Sequence, residues 1–148
     1  MTRSLDWGAL KKISKIIQGL CRWTSVSTPN TRFTPTYYIE VEVPEDTYND
    51  YLEQGFPVKD EDGFYMVIKR KVERRDGSMN IRPKLFNYKK EPTDVTIGNG
   101  SLVRVLYQEF VVENKFGTFK GFDLRAVQIL DLIKDDDLPD DFLIDYKL

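Results

Sequence analysis

At 148 residues the chain has the length of one domain, large enough to bury a core. It has no histidine and one cysteine, Cys21, which excludes ordinary zinc and transition-metal sites, every Ser-His or Cys-His nucleophile and any internal disulfide. The net charge of −2 hides segregation: residues 64–90 hold nine Lys and Arg against Glu73 and Asp76, residues 33–63 hold nine acids against Lys59, and 131–148 hold seven aspartates against Lys134 and Lys147. A cationic block of that kind calls for an anion, either a phosphate backbone, the acidic tail of the same chain, or both in competition.

The N-terminus carries Arg3, Asp6, Lys11 and Lys12, so it lacks the apolar stretch of a signal peptide, and no run approaches the roughly 20 apolar residues of a membrane helix. A cytoplasmic protein is expected. Residues 4–20 place Leu5, Leu10, Ile13, Ile16, Ile17 and Leu20 near one helical stripe, with Ser4 or Asp6 as N-cap and Gly19 near the end. That spacing predicts an amphipathic helix packed on the domain, with docking to a membrane or a partner as the other reading. The plan is thus an N-terminal helix over 1–20, a β domain over 21–133 and an acidic tail over 134–148.

From Cys21 the texture is β. Residues 21–28 read as a strand and Pro29-Asn30 as a turn. In 36–43, Tyr37, Ile39, Val41 and Val43 alternate with Tyr38, Glu40 and Glu42, which predicts one face in the core and one outside. Pro44-Glu45-Asp46 opens a short helix over roughly 45–54, ending at Gly55. Residues 64–75 form a strand, Asp76-Gly77 a hairpin turn, and 79–88 the return strand, bulged or at an edge because of Pro83. Gly98-Asn99-Gly100 turns into strand 101–112, and 113–117 turns back into strand 118–133. The expected architecture is mainly β: a five- to six-stranded barrel of the OB-fold kind, with the N-terminal helix and one short helix between strands.

Binding a single strand of nucleic acid requires cations along the phosphates and exposed rings for the bases. Alternation in the 64–88 hairpin supplies both. Phe64, Met66, Ile68 and Val72 read as inward on the first strand, and Met79, Ile81 and Leu85 on the second. The outward set is Tyr65, Lys69, Lys71, Arg75, Arg82, Lys84, Phe86 and Tyr88, interrupted by Glu73. Arg22 with Trp23, and Arg32 with Phe33, repeat the cation–ring pairing. Lys115 and Phe116, with Phe119 and Lys120, place it at a hairpin tip. No carboxylate cluster makes a convincing catalytic site, Gly98-Asn99-Gly100 precedes a strand and is not a phosphate loop, and no cofactor or metal is expected.

The order of segments resembles the small OB-fold single-stranded DNA-binding proteins that tailed phages encode for replication. The marks are TYYIEVEVP at 36–44 before a short helix, KLFNY at 84–88, and IGNGSLVRVLY at 97–107 followed by GFDLRAVQILDLI at 121–133 and an aspartate-rich end. The resemblance implies a non-enzymatic protein that coats single-stranded DNA with little sequence preference during phage replication and recombination, in the host cytoplasm. It also implies a tail that covers the cationic groove when DNA is absent and recruits replication proteins, here through Asp135, Asp136, Asp137, Asp140, Asp141 and Phe142. A homodimer is compatible with the sequence. The competing readings are a phage assembly module whose basic sheet meets an acidic protein, and a carboxylate-metal nuclease.

Overall fold

The computed structural model describes residues 9–133. Along the chain run β1 (Ala9–Asn30), β2 (Thr36–Glu42), α1 (Glu45–Gln54), β3 (Val58–Asp60), β4 (Phe64–Lys71), β5 (Lys84–Phe86), β6 (Leu102–Asn114) and β7 (Gly117–Asp131). The tail residues Asp135, Asp136, Asp137, Asp140, Asp141 and Phe142, and the start of the expected N-terminal helix, lie outside the described residues.

Antiparallel pairing links β4–β2–β1–β6–β7, and a parallel contact of β4 with β7 at Lys69 and Asp123 closes these five strands into a barrel. β3 pairs with β4, and β5 adds to β7, outside the closed ring. This is the connectivity of an OB barrel. Inside it Ile39, Val41, Met66, Ile68, Val103, Val105, Phe122, Leu124 and Val127 are fully buried. Alternation in β2 puts Tyr37, Ile39 and Val41 into this core, as the sequence pattern predicts. Helix α1 occupies the expected residues, with Pro44 at its N-cap and Gly55 at its C-cap in the left-handed conformation, φ 88°. It inserts Tyr51 against Phe56 and Phe122, centroids 5.3 and 4.8 Å away, and Tyr107 meets Phe122 at 5.3 Å.

The expected helix over 4–20 is overturned from residue 9 onward. Residues 9–20 are the first half of β1, paired antiparallel with β6 from Ala9–Val112 to Leu20–Leu102. Three isoleucines in five residues favour a strand. Ile17 then packs on the core while Ile16 and Leu20 face out. Gly19 is no helix cap: a side chain there would collide with the carbonyl oxygen of Glu42 where β2 approaches β1.

The IGNGS motif is a structural clamp. Gly100 N–H donates to the Cys21 carbonyl at 2.7 Å, Cys21 N–H to Ser101 O at 2.9 Å, and Ser101 Oγ bridges Gly98 and Ile133. It ties the middle of β1 to the end of β7. Asn99 Oδ1 accepts from Trp23 N–H at 2.8 Å, holding that residue at a positive φ of 53° in a β1 irregularity.

Candidate nucleic-acid interface

The hairpin expected over 64–88 does not form as one two-stranded surface. β4 pairs with β2, not with the segment after it. Of the return strand only Lys84–Phe86 is extended, and it runs parallel to β7, next along the edge that β4 has just left. The Asp76-Gly77 turn is present, but its hairpin is a short finger: Asn80 N–H reaches Val72 O, Arg74 N–H reaches Ser78 O, and Glu73 bridges to Met79. The cause is long-range: β2 and β7 offer whole edges, whereas the finger offers three pairs. Met79 and Ile81, expected inward, are consequently exposed. Phe86, expected outward, is half-buried, Tyr88 is exposed in the turn after β5, and Arg75 sits at the tip of the finger.

The site residues fall into three groups. Tyr65, Lys69 and Lys71 on β4 share the outer face of the barrel with Arg22 and Trp23 of β1, through β2 between them: Tyr38 lies opposite Lys69 and Ser25, and Glu40 opposite Val67 and Arg22. Arg82 and Lys84 line a small groove with Arg70, Ile81 and Arg125. Lys115 and Phe116 stand at the exposed β6–β7 tip, the ammonium 5.1 Å from the ring.

Sequence reasoning missed the fullest part of the first group as a unit. The loop 31–35 between β1 and β2 projects Phe33, 81% exposed, over a groove of about 370 Å³ formed with Asn30, Thr34, Thr36, Tyr38, Lys69 and Lys71. Arg32 lies 5.5 Å from the Phe33 ring. The signal was present as the Arg32-Phe33 pair between Pro29 and Pro35, but only the β2–β4 register places it beside the two lysines. A second groove, about 430 Å³, runs between the finger and the outer face of β6–β7, with Arg70, Arg74 and Arg125 against Asp123, Gln108 and Phe110. Arg70, between Lys69 and Lys71, grips both oxygens of Asp123 at 2.7–2.8 Å and the Ile81 carbonyl at 2.9 Å. It anchors the finger where β4 and β7 separate.

Glu40 is the other unexpected feature. Alternation puts it on the outer face, yet it is fully buried, because Arg22, Lys59 and Tyr38 close over it. Arg22 Nε–H donates to it at 2.8 Å, Lys59 at 2.7 Å, and the Tyr38 hydroxyl also bonds to it. Burial opposes its ionisation, but the bonds from Lys59, Tyr38 and Arg22 outweigh burial and hold its carboxyl below the ordinary range. Burial and the Glu40 charge push the Tyr38 phenol up to about 12. The cluster makes a rigid, ionised floor, on which Arg22 lies 3.5 Å below the Tyr65 ring centroid.

This arrangement can hold a flexible polyanion: rings at Phe33, Tyr38, Tyr65 and Trp23, and cations at Lys69 and Lys71 along one face. On OB barrels the outer face of the second and third barrel strands, with the loops after the first and fourth, is the region that takes oligonucleotides. Here those strands are β2 and β4, and the loops carry Phe33 and Phe116. Among the described residues no group of three His, Cys, Asp or Glu is placed to hold a metal ion, and no helix is long and apolar enough to cross a membrane.

No protein-family model matches the sequence, and no curated protein matches it. Solved structures do. T7 gp2.5, a single-stranded DNA binding protein encoded by bacteriophage T7, matches at a TM-score of 0.56 and 16% identity over 90% of this chain and 100% of that one. The single-stranded DNA-binding protein from bacteriophage Enc34 matches at 0.56 and 15% identity, covering 97% of this chain and 94% of its own. The same phage protein in complex with single-stranded DNA matches at 0.56 and 16%, covering 94% and 96%. At this level of identity the likeness is one of fold: the chain is an OB barrel of the shape that these phage single-stranded DNA-binding proteins have.

Proposed function

We propose that this chain binds and coats single-stranded DNA, with little sequence preference and without catalysis, during phage DNA replication and recombination. The observation that carries the reading is the outer face of β2–β4, where Phe33, Tyr38, Lys69 and Lys71 line one groove. Bases stack on the rings and the lysines take the phosphates; stacking contributes about 1–3 kcal/mol per base whatever the base. The arginine-lined groove between the finger and β6–β7 extends the path toward Phe116. The likeness in shape to the phage single-stranded DNA-binding proteins, one of them in complex with single-stranded DNA, supports the reading. The acidic tail is assigned the role of competing for the same cations and of recruiting replication proteins.

Titration of labelled oligo-dT tests this. Tight binding is expected at low salt, with log affinity falling against log salt at a slope near −0.7 per phosphate contacted, and duplex DNA competing poorly. Absence of a complex at low salt, or an affinity indifferent to salt, refutes it.

A further inference from the structure

The end of the β2–β4 face farthest from Phe33 is built from different chemistry. There Glu42 pairs across from Tyr65, and the Glu61 carbonyl accepts from Arg22 Nη1 at 2.8 Å. With Glu42, Glu61 and Asp62 around it, this end repels a phosphate. It nevertheless offers hydrogen-bond capacity. Arg22 is 9% exposed, its Nε and Nη1 are engaged, and its Nη2 is buried with no partner. An unsatisfied buried donor is costly, and native structures keep few of them. Beside it Trp23 holds a left-handed backbone that its bulky side chain disfavours, fastened by Asn99, and keeps its indole 54% exposed.

We propose that this corner is a nucleobase subsite, in which one base stacks on Trp23 and its carbonyl oxygen accepts a hydrogen bond from Arg22 Nη2, the Tyr65 ring moving off the guanidinium to admit it. The inference rests on the single-stranded DNA reading and adds one selective position to it. Guanine, thymine and cytosine each carry a carbonyl oxygen. Adenine alone has none; its acceptors are the ring nitrogens, and N1 and N7 each lie beside the amino group, which would face the Arg22 donor. The subsite therefore disfavours adenine at one position of the bound strand. Simple stacking predicts the opposite sign, since a purine offers the larger ring.

The test uses dT oligomers of about the length one OB barrel covers, roughly 4–16 nucleotides, each with a single dA stepped along the strand. The full chain should bind one of these about tenfold more weakly than all-dT, the loss expected for a hydrogen bond to a charged donor. Arg22→Lys, which keeps a cation for Glu40 but removes Nη2, should bind all-dT about tenfold more weakly, at the level of the dA-bearing strand, and so lose the discrimination. Should that variant not fold, Asn99→Ala, which frees the Trp23 backbone, should diminish the discrimination instead. Equal or tighter binding of dA at every position overturns the subsite and leaves the DNA reading standing, as does discrimination undiminished in the folded variants. Failure of the full chain to bind all-dT sinks both.

Discussion

Replacing Phe33 by alanine separates binding from folding. The ring is 81% exposed and packs on no core residue, so its removal leaves no cavity. Stability should stay within about 0.5 kcal/mol, a shift of the melting temperature of roughly 1–2 °C for a chain of this size. Affinity should change much more. If one base stacks on this ring, its loss costs about 1–3 kcal/mol, or roughly 5- to 150-fold in Kd at 25 °C. Anisotropy titration of labelled oligo-dT at fixed salt, beside a melting curve for the same sample, reads both quantities. A variant that melts as the parent does and binds oligo-dT with the same Kd would refute the placement of a base on the 31–35 loop.

Lys69→Ala and Lys71→Ala should each reduce the salt slope by about 0.7, measured by the same titration over a salt series. Glu40→Ala should destabilise by about 3–5 kcal/mol in chemical denaturation, because it leaves Arg22 buried beside no carboxylate. The pH dependence follows from the same cluster. Glu40 is held below its ordinary pKa, so its contribution is present above that value and is lost as pH falls through the lowered one. Lys59, raised by its bond to Glu40, contributes below its ordinary value and ceases to as pH climbs through the raised one. Melting temperatures should therefore plateau between about pH 5 and 10 and fall on either side, and the Glu40 variant should show a shallower acid limb. Removing residues 134–148, six acids against two lysines, should tighten oligo-dT binding; equal or weaker affinity would deny the tail its competing role.

Local signals made β2, α1 and the β6–β7 hairpin legible. The period-2 run in 36–43, the Pro44 entry and Gly55 exit, and the turn before Gly117 each lie within a dozen residues of what they organise. Residues 9–20 were ambiguous because isoleucines and leucines at 10, 13, 16, 17 and 20 satisfy a helical stripe. The partner that decides the matter, β6, lies some 90 residues downstream. The finger failed for a related reason: alternation gives the face of a residue but not the strand beside it. Of the candidate site, Tyr65, Lys69, Lys71, Arg22 and Trp23 meet on one face, whereas Phe86 and Tyr88 belong to β5 and its turn. Glu40 shows the limit of alternation, since an outward position became a fully buried charge once Arg22 and Lys59 covered it.

Chemical-shift mapping during titration of the labelled full chain with oligo-dT tests the central claim most directly. The resonances expected to move are those of Phe33, Tyr38, Tyr65, Lys69 and Lys71, with Trp23 and the β6–β7 tip, while the exposed side of α1 around Glu53 and Gln54 stays unchanged. Shifts confined to α1 and β3, or no shifts at saturating oligo-dT, would contradict a strand lying across β2 and β4.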